Sequence, residues 1–442
     1  MHDLRRQALE SGKTVSKKAQ SRMSSRASST ANSRSNSRNV SRHGSDDEDG
    51  NLSDSTNWST NSTEEMISAY GAEDVHEIWK QDLRDRTEEI IDRKRSSVQG
   101  RESALAQYVH IIMSHYAYDQ INSKAAELFP ALLKSIKVDS SERETSLALR
   151  AIALSIITAP SETVYDAIFK ALKNTYADSQ SHAVKAVAIH TLSAAAVFGG
   201  ASDSEIEEIM DDLLEIVESD GTSVEAEDSA EVVTAACEAW GFLAVQVDDL
   251  EEKTEAAMDA FVEQLDSSSA SVQVAAGENI ALLFEKSYTA RESDDAPVSD
   301  DEDEDGFAVD TSFVKRYDVY RQKNQLEHKL SMLATERSRH ISKQDRKFLH
   351  GNFSDILGTV EVPSRGPCYS KAIDQETGKR YGSRMVVRIH KTGSMLIDKW
   401  WKLHTLQALR RVLGPGFVVH YQDNEVVFDL LPIMMTVDSR KA

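Results

Sequence analysis

Two stretches carry side chains whose types and spacing fit binding chemistry. In ATERSRHISKQDRKFLH (334–350), Arg339, Lys343, Arg346, Lys347 and His350 recur at intervals of three and four, so a helix puts them on one face. Like charges at that spacing disfavour an isolated helix by about 0.2–0.5 kcal/mol per pair. A polyanion would reverse that cost. The second stretch is KWWKLHTLQALRRVLGPGFVVHYQDNEVV (399–427). As a helix, its first part groups Trp400, His404 and Arg411 on one side and Lys399 and Arg410 on another. Trp400 and Trp401 differ by about 100° around the axis, so at most one points into a core. Core packing is the expected use of either tryptophan taken alone, while an exposed one beside Arg and His could stack on a base; Arg410 and Arg411 either add to the basic face or cap their own helix. On these grounds Arg339, Lys343, Arg346, Lys347, His350, Lys399, Trp400, His404, Arg410 and Arg411 are the expected RNA contacts.

Catalysis finds no comparable pattern. Gly12-Lys13-Thr14 resembles the end of a phosphate-binding loop, but Gln7 stands where that pattern needs glycine. The histidines are scattered, no His-Glu-x-x-His occurs, and the two cysteines, Cys237 and Cys368, cannot make a metal site by themselves. The expectation is a non-enzymatic protein without metal, cofactor or small-molecule substrate.

Charge layout points the same way. The chain has 442 residues and a formal charge of −22. Residues 1–45 are net +8 and residues 313–442 net +10, so 46–312 carry −40. Basic ends favour polyanions and the acidic middle repels them. The N-terminus has no apolar run of signal length, and no membrane span is expected. A soluble cytoplasmic or nuclear protein follows.

The elements that must position these residues come from periodicity. Residues 1–75 are Ser/Arg-rich, poor in large apolar groups, and expected to be disordered. Arg-x-x-Ser recurs there, making Ser25, Ser29, Ser37, Ser41 and Ser45 candidate phosphorylation sites; Ser53, followed by Asp54, is another. Residues 76–290 are expected to be helical throughout. SLALRAIALSII, AVKAVAIHTLSAA, EVVTAACEAWGFLA and SVQVAAGENIALLF look alike, with Leu154, Leu192, Leu243 and Leu283 spaced by 38, 51 and 40. Second helices lie between them, and the acidic stretch 218–231 is read as a loop insertion. A period near 40 with paired helices predicts an armadillo/HEAT-like α-solenoid. An acidic linker (291–312) and a small, basic, helical C-terminal domain (313–442) follow. There RMVVRIH and SMLIDKW predict a short hairpin, Phe417–Tyr421 a strand, 364–382 a polar loop, and Gly358 with Pro363 a helix end. The fold class is all-α.

WWKLHTLQALRRVLGPGFVVHYQDNEVVFDLL (400–431) resembles the C-terminal signature of the interferon-related developmental regulator family. LATERSRHISKQDRKFLHGNFSDILGTVE resembles its preceding basic segment, and RESAL at Arg101 and VAAGENIALLFE at Val274 its armadillo-like domain. The sequence departs at 364–382, which is longer, and at Pro415. The resemblance implies a regulator with one of two partner classes. One is the translationally inactive ribosome, through ribosomal RNA and ribosomal proteins. The other is chromatin co-repressor complexes in the nucleus.

Overall fold

The computed structural model describes residues 75–93, 96–292, 312–335, 343–373, 380–389 and 393–431. The serine sites of the first 75 residues, and most of the acidic linker, lie outside this range.

Ten helices build the repeats. They are α1 (Val75–Ile91), α2 (Val98–Ser114), α3 (Tyr118–Val138), α4 (Glu142–Thr158), α5 (Val164–Asp178), α6 (His182–Gly199), α7 (Asp203–Glu218), α8 (Ala230–Gln246), α9 (Glu251–Gln264) and α10 (Ala270–Lys286). Several starts are written in serine. Ser97, Ser141, Ser181 and Ser202 each accept a backbone N–H from the first turn, and Glu205 completes a capping box with Ser202.

The even-numbered helices stack in order, α2 on α4, α6, α8 and α10, and the odd ones back them. This is the expected solenoid. Leu154, Leu192, Leu243 and Leu283 are all fully buried in its seams. The inner helices approach closely because one side of each is alanine or glycine. α6 is long and apolar enough to cross a membrane, but it is a core helix between α4 and α8. The acidic insertion is a loop around a 3-10 turn at Thr222–Val224. Buried Lys185 fixes it. Its ammonium donates to the carbonyls of Val224 (2.6 Å), Ala177 (2.6 Å) and Tyr176 (3.1 Å).

Beyond the linker, β1 (Tyr288–Ala290) pairs antiparallel with β2 (Phe313–Lys315). Two helices follow, α11 (Lys323–Thr335) and α12 (Lys343–Glu361). α12 packs on α10, and α11 reaches α9, where Lys329 Nζ donates to Val262 O at 2.8 Å. This pair therefore extends the stack. Gly358 does not end α12, which runs on to Glu361; Pro363 lies just past its end. The expected loop at 364–382 instead contains β3 (Tyr369–Ile373), paired with β4 (Arg380–Ser383). The expected hairpin is present as β5 (Val386–Arg388) and β6 (Ser394–Leu396).

The chain then enters α13 (Trp400–Leu413), which crosses back over α10, α8 and α4. Phe417–Tyr421, read as a strand, lies in the short helix α14 (Phe417–Asp423), and α15 (Glu425–Leu430) follows. The β-propensity of Phe-Val-Val is overridden because Phe417, His420 and Tyr421 bury together against α2. The described residues of 313–431 pack on the repeats and belong with them to one compact unit.

Candidate functional site

The face made by α4, α8 and α10 is covered by the chain's own C-terminal helix, and acidic groups on the repeats hold it there. Lys399, the residue before α13, offers no side-chain cap. The buried carboxylate of Glu285 on α10 takes that role. It accepts the backbone N–H of Trp400 at 2.9 Å and of Trp401 at 3.1 Å. A carboxylate at a helix N-terminus is favoured by the helix dipole. Burial still pushes the Glu285 carboxyl above the usual range, against the pull of these two bonds.

One turn on, His404 fits against Gly241. A side chain at 241 would meet His404 Nδ1 at 2.4 Å and Asn279 Oδ1 at 2.3 Å, so only glycine admits the helix here. His404 Nε2 faces the Glu278 carbonyl at 3.3 Å. Burial pulls its imidazole down to about 4, so it is neutral near pH 7. Gln407 donates to Glu278 Oε2 at 3.1 Å, and Arg411 pairs with Glu238 Oε1 at 2.7 Å. His190 Nε2 lies 3.4 Å from the other Glu238 oxygen, and burial, with Arg411 nearby, keeps that ring neutral.

Past α13 the contacts reach the first described repeats. A Cβ on Gly416 would stand 1.8 Å from the Met113 carbonyl, so the Gly-Pro-Gly turn lies against the α2 backbone. His420 Nε2 pairs with Ile112 O (2.8 Å), and Asn424 Nδ2 donates to Ile157 O (2.8 Å).

The expected RNA contacts separate on this geometry. Trp400 and His404 are buried, so neither presents a face to a base; this corrects the sequence reading. Their polar atoms are used internally. Trp400 Nε1 donates to Thr359 Oγ1 at 2.7 Å, and that hydroxyl donates to Arg365 O at 2.6 Å. Arg411 is committed to Glu238. Arg410 lies 5.7 Å over the Phe417 ring, and Lys399 Nζ 4.8 Å over the Phe313 ring. On α12, Lys347 is exposed, while Arg346 and His350 are half-buried. Lys343 opens α12, and its side chain lies outside the described residues, as does all of Arg339.

Sequence reasoning missed the acidic partners Glu238, Glu278 and Glu285. A signal was there. Glu278 and Glu285 are seven apart, so they share one face of a helix that is otherwise mostly Ala, Val, Ile, Leu and Phe. The groups differ in cost. Burial raises the Glu278 carboxyl to about 7, with neighbouring Glu238 adding and Gln407 and Arg411 opposing.

A carboxylate raised on folding is a penalty above its folded value. In the unfolded chain it ionises near pH 4.3, so stability falls from there to about pH 7 and the penalty is complete above that. Glu278→Gln should match the parent at pH 4 and exceed it by on the order of 3–4 kcal/mol at pH 8. Urea melts across that range test it; a difference independent of pH sinks it. The opposite slope expected from His404 is common to both proteins and cancels.

Comparison with known proteins adds to this geometry. The model of the interferon-related developmental regulator family matches residues 51–361. An uncharacterized protein of Schizosaccharomyces pombe is 32% identical over 348 residues, covering 78% of this chain and 72% of its own length. Interferon-related developmental regulator 1 of Homo sapiens is 24% identical over 406 residues, covering 88% and 81%. Interferon-related developmental regulator 2 of Mus musculus is 28% identical over 174 residues, covering 39% and 30%.

Proposed function

The chain belongs to the interferon-related developmental regulator family, and on that premise we propose that it is a non-enzymatic regulator that binds ribosomes and represses or accompanies inactive translation. The supporting observation is the charge layout. Residues 313–442 are net +10, and their described part is built onto the repeat stack. The solenoid provides a rigid frame, and its cationic end provides the surface for ribosomal RNA. Basic groups on a rigid frame meet phosphate without an ordering cost at binding. The acidic repeats would meet basic ribosomal proteins. On this reading the protein works in the cytoplasm.

A second reading, a nuclear scaffold for co-repressor complexes, is favoured by the backing helices. Glu208, Asp211, Glu215 and Glu218 on α7, and Glu251, Glu252, Glu255, Asp259 and Glu263 on α9, are exposed. They suit a basic chromatin-associated protein.

Sedimentation of the full chain with purified ribosomes separates the two. Four phosphate contacts give a log–log salt slope near −3, or a roughly 60-fold loss between about 50 and about 200 mM salt. Co-sedimentation that is absent, or equal at both salts, overturns the RNA-docking reading.

A further inference from the structure

Among the described residues, one cationic exposed surface of the C-terminal region lies on neither of the helices that the sequence singles out. It is the pair of hairpins between them. Residues 364–397 contain seven Lys/Arg and two Asp/Glu. Among the described residues of that stretch, every Lys, Arg, Asp or Glu is a cation: Lys371, Arg380, Arg384 and Arg388, with Arg365 buried and paired with Glu361.

The hairpins orient these cations by alternation. Val387 and Ile389 turn inward with Met395 and Ile397, all four buried. Arg384, Val386 and Arg388 therefore share the opposite face, and all three are exposed. Their backbone positions repeat about every 6.6 Å along the strand. The backbone N–H of Arg384 donates to Cys368 O at 3.1 Å, linking the second hairpin to the start of the first.

On that first hairpin Tyr381 stands out, 54% exposed, with the Arg384 guanidinium 5.5 Å from its ring centre. Tyr381 lies opposite a bulge, since Gly382 pairs with Ser370 and Arg380 with Ile373. Ile373 (50%) and Val386 (53%) are exposed as well. Exposed apolar groups are unfavourable in water, and cations close to one another repel.

We propose that this face binds single-stranded RNA, with a base stacked on Tyr381 beside Arg384 and phosphates on Arg388 and Lys371. The charge complementarity selects the occupant. An extended strand carries a phosphate at every residue, and an exposed aromatic ring beside a guanidinium suits a base. The assignment rests on the ribosome-binding reading above, but it names one surface and one RNA form.

The test uses the full chain and a fluorescein-labelled, mixed-sequence single-stranded oligoribonucleotide of about 12 nucleotides, read by anisotropy. Tyr381→Ala should weaken binding by about 5- to 150-fold, and Tyr381→Phe should restore it. Arg384→Glu with Arg388→Glu should flatten the log–log salt slope by about 1.4. An RNA duplex should bind more weakly than the single strand. These side chains are exposed, so thermal unfolding should be unchanged and will confirm that the variants fold. If the parent binds the oligonucleotide and all variants bind equally, the face is not the RNA site, while the ribosome reading stands. If the parent sediments with ribosomes but ignores the oligonucleotide, the assignment to RNA falls, and loss of sedimentation in the variants would then mark a protein contact. If it binds neither, both readings fall.

Discussion

Replacing Trp400 by alanine should destabilise the protein by about 3–5 kcal/mol, the range for deleting a fully buried tryptophan. The side chain is 1% exposed and lies where α13 meets α10 and α12. Two losses combine. One is the volume of the indole, which the surrounding helices cannot close over. The other is the bond from Nε1 to Thr359, which leaves a buried hydroxyl with one partner fewer. Trp400→Phe separates them, since it keeps most of the volume and loses only the hydrogen bond, for about 1–2 kcal/mol beyond the shape change. The two variants should therefore rank alanine well below phenylalanine in chemical denaturation. Trp400→Ala within about 1 kcal/mol of the parent would mean that α13 is not docked on the repeats. The result also decides between uses of the residue. A tryptophan kept for stacking on a base would cost binding and little stability. This one should cost stability first.

Trp400 also marks the limit of what the sequence could tell. Its face on a helix was legible, because periodicity assigns faces. Its destination was not, because the partners Glu285 and Thr359 lie 115 and 41 residues away. The repeats were legible for the opposite reason. Leu192 and Leu243 bury against the next copy of their own pattern, and a repeated pattern announces its neighbour. The serine caps are likewise local. The small residues were read half-correctly. Alanine on α6 does bring inner helices together, but Gly241 and Gly277 make room for His404 and Ile356, which belong to the C-terminal elements. The VAAGENIALLFE stretch that carried the family resemblance is thus the surface on which α12 and α13 sit. The helix at Phe417–Asp423 failed for a related reason. Its residues favour strand locally, and only the tertiary contacts of His420 with Ile112 and of Phe417 with its neighbours select the helix.

Another resemblance motif, RESAL, predicts an effect of similar size at the far end of the stack. Glu144 sits in the first turn of α4, where its backbone N–H caps on Ser141 Oγ at 3.0 Å. Its carboxylate is fully buried and turns back to α2. Arg101, the first residue of RESAL, grips it with both arms, Nε to Oε1 at 2.8 Å and Nη2 to Oε2 at 2.8 Å. Arg93 adds Nη2 to Oε1, also at 2.8 Å. A fork-to-fork arginine–carboxylate pair is the strongest side-chain geometry available, and it needs the planar guanidinium. Arg93 lies in the α1–α2 connection and Arg101 on α2, so one carboxylate of α4 ties three segments. Burying these charges is costly in itself, and removing one partner exposes that cost. Glu144→Ala leaves two largely buried guanidinium groups facing each other, and burial already pulls Arg93 down while Arg101 repels it. The expected loss is about 3–5 kcal/mol. Arg101→Lys should fall between, because an ammonium cannot make the second bond. Exchanging all three for apolar residues of similar volume should restore most of the stability, since no unpaired charge remains. High salt should leave the loss nearly unchanged, because buried pairs are weakly screened. A Glu144→Ala variant that melts like the parent, or whose deficit vanishes in salt, would show that the triad is a surface ion pair and that RESAL holds nothing together.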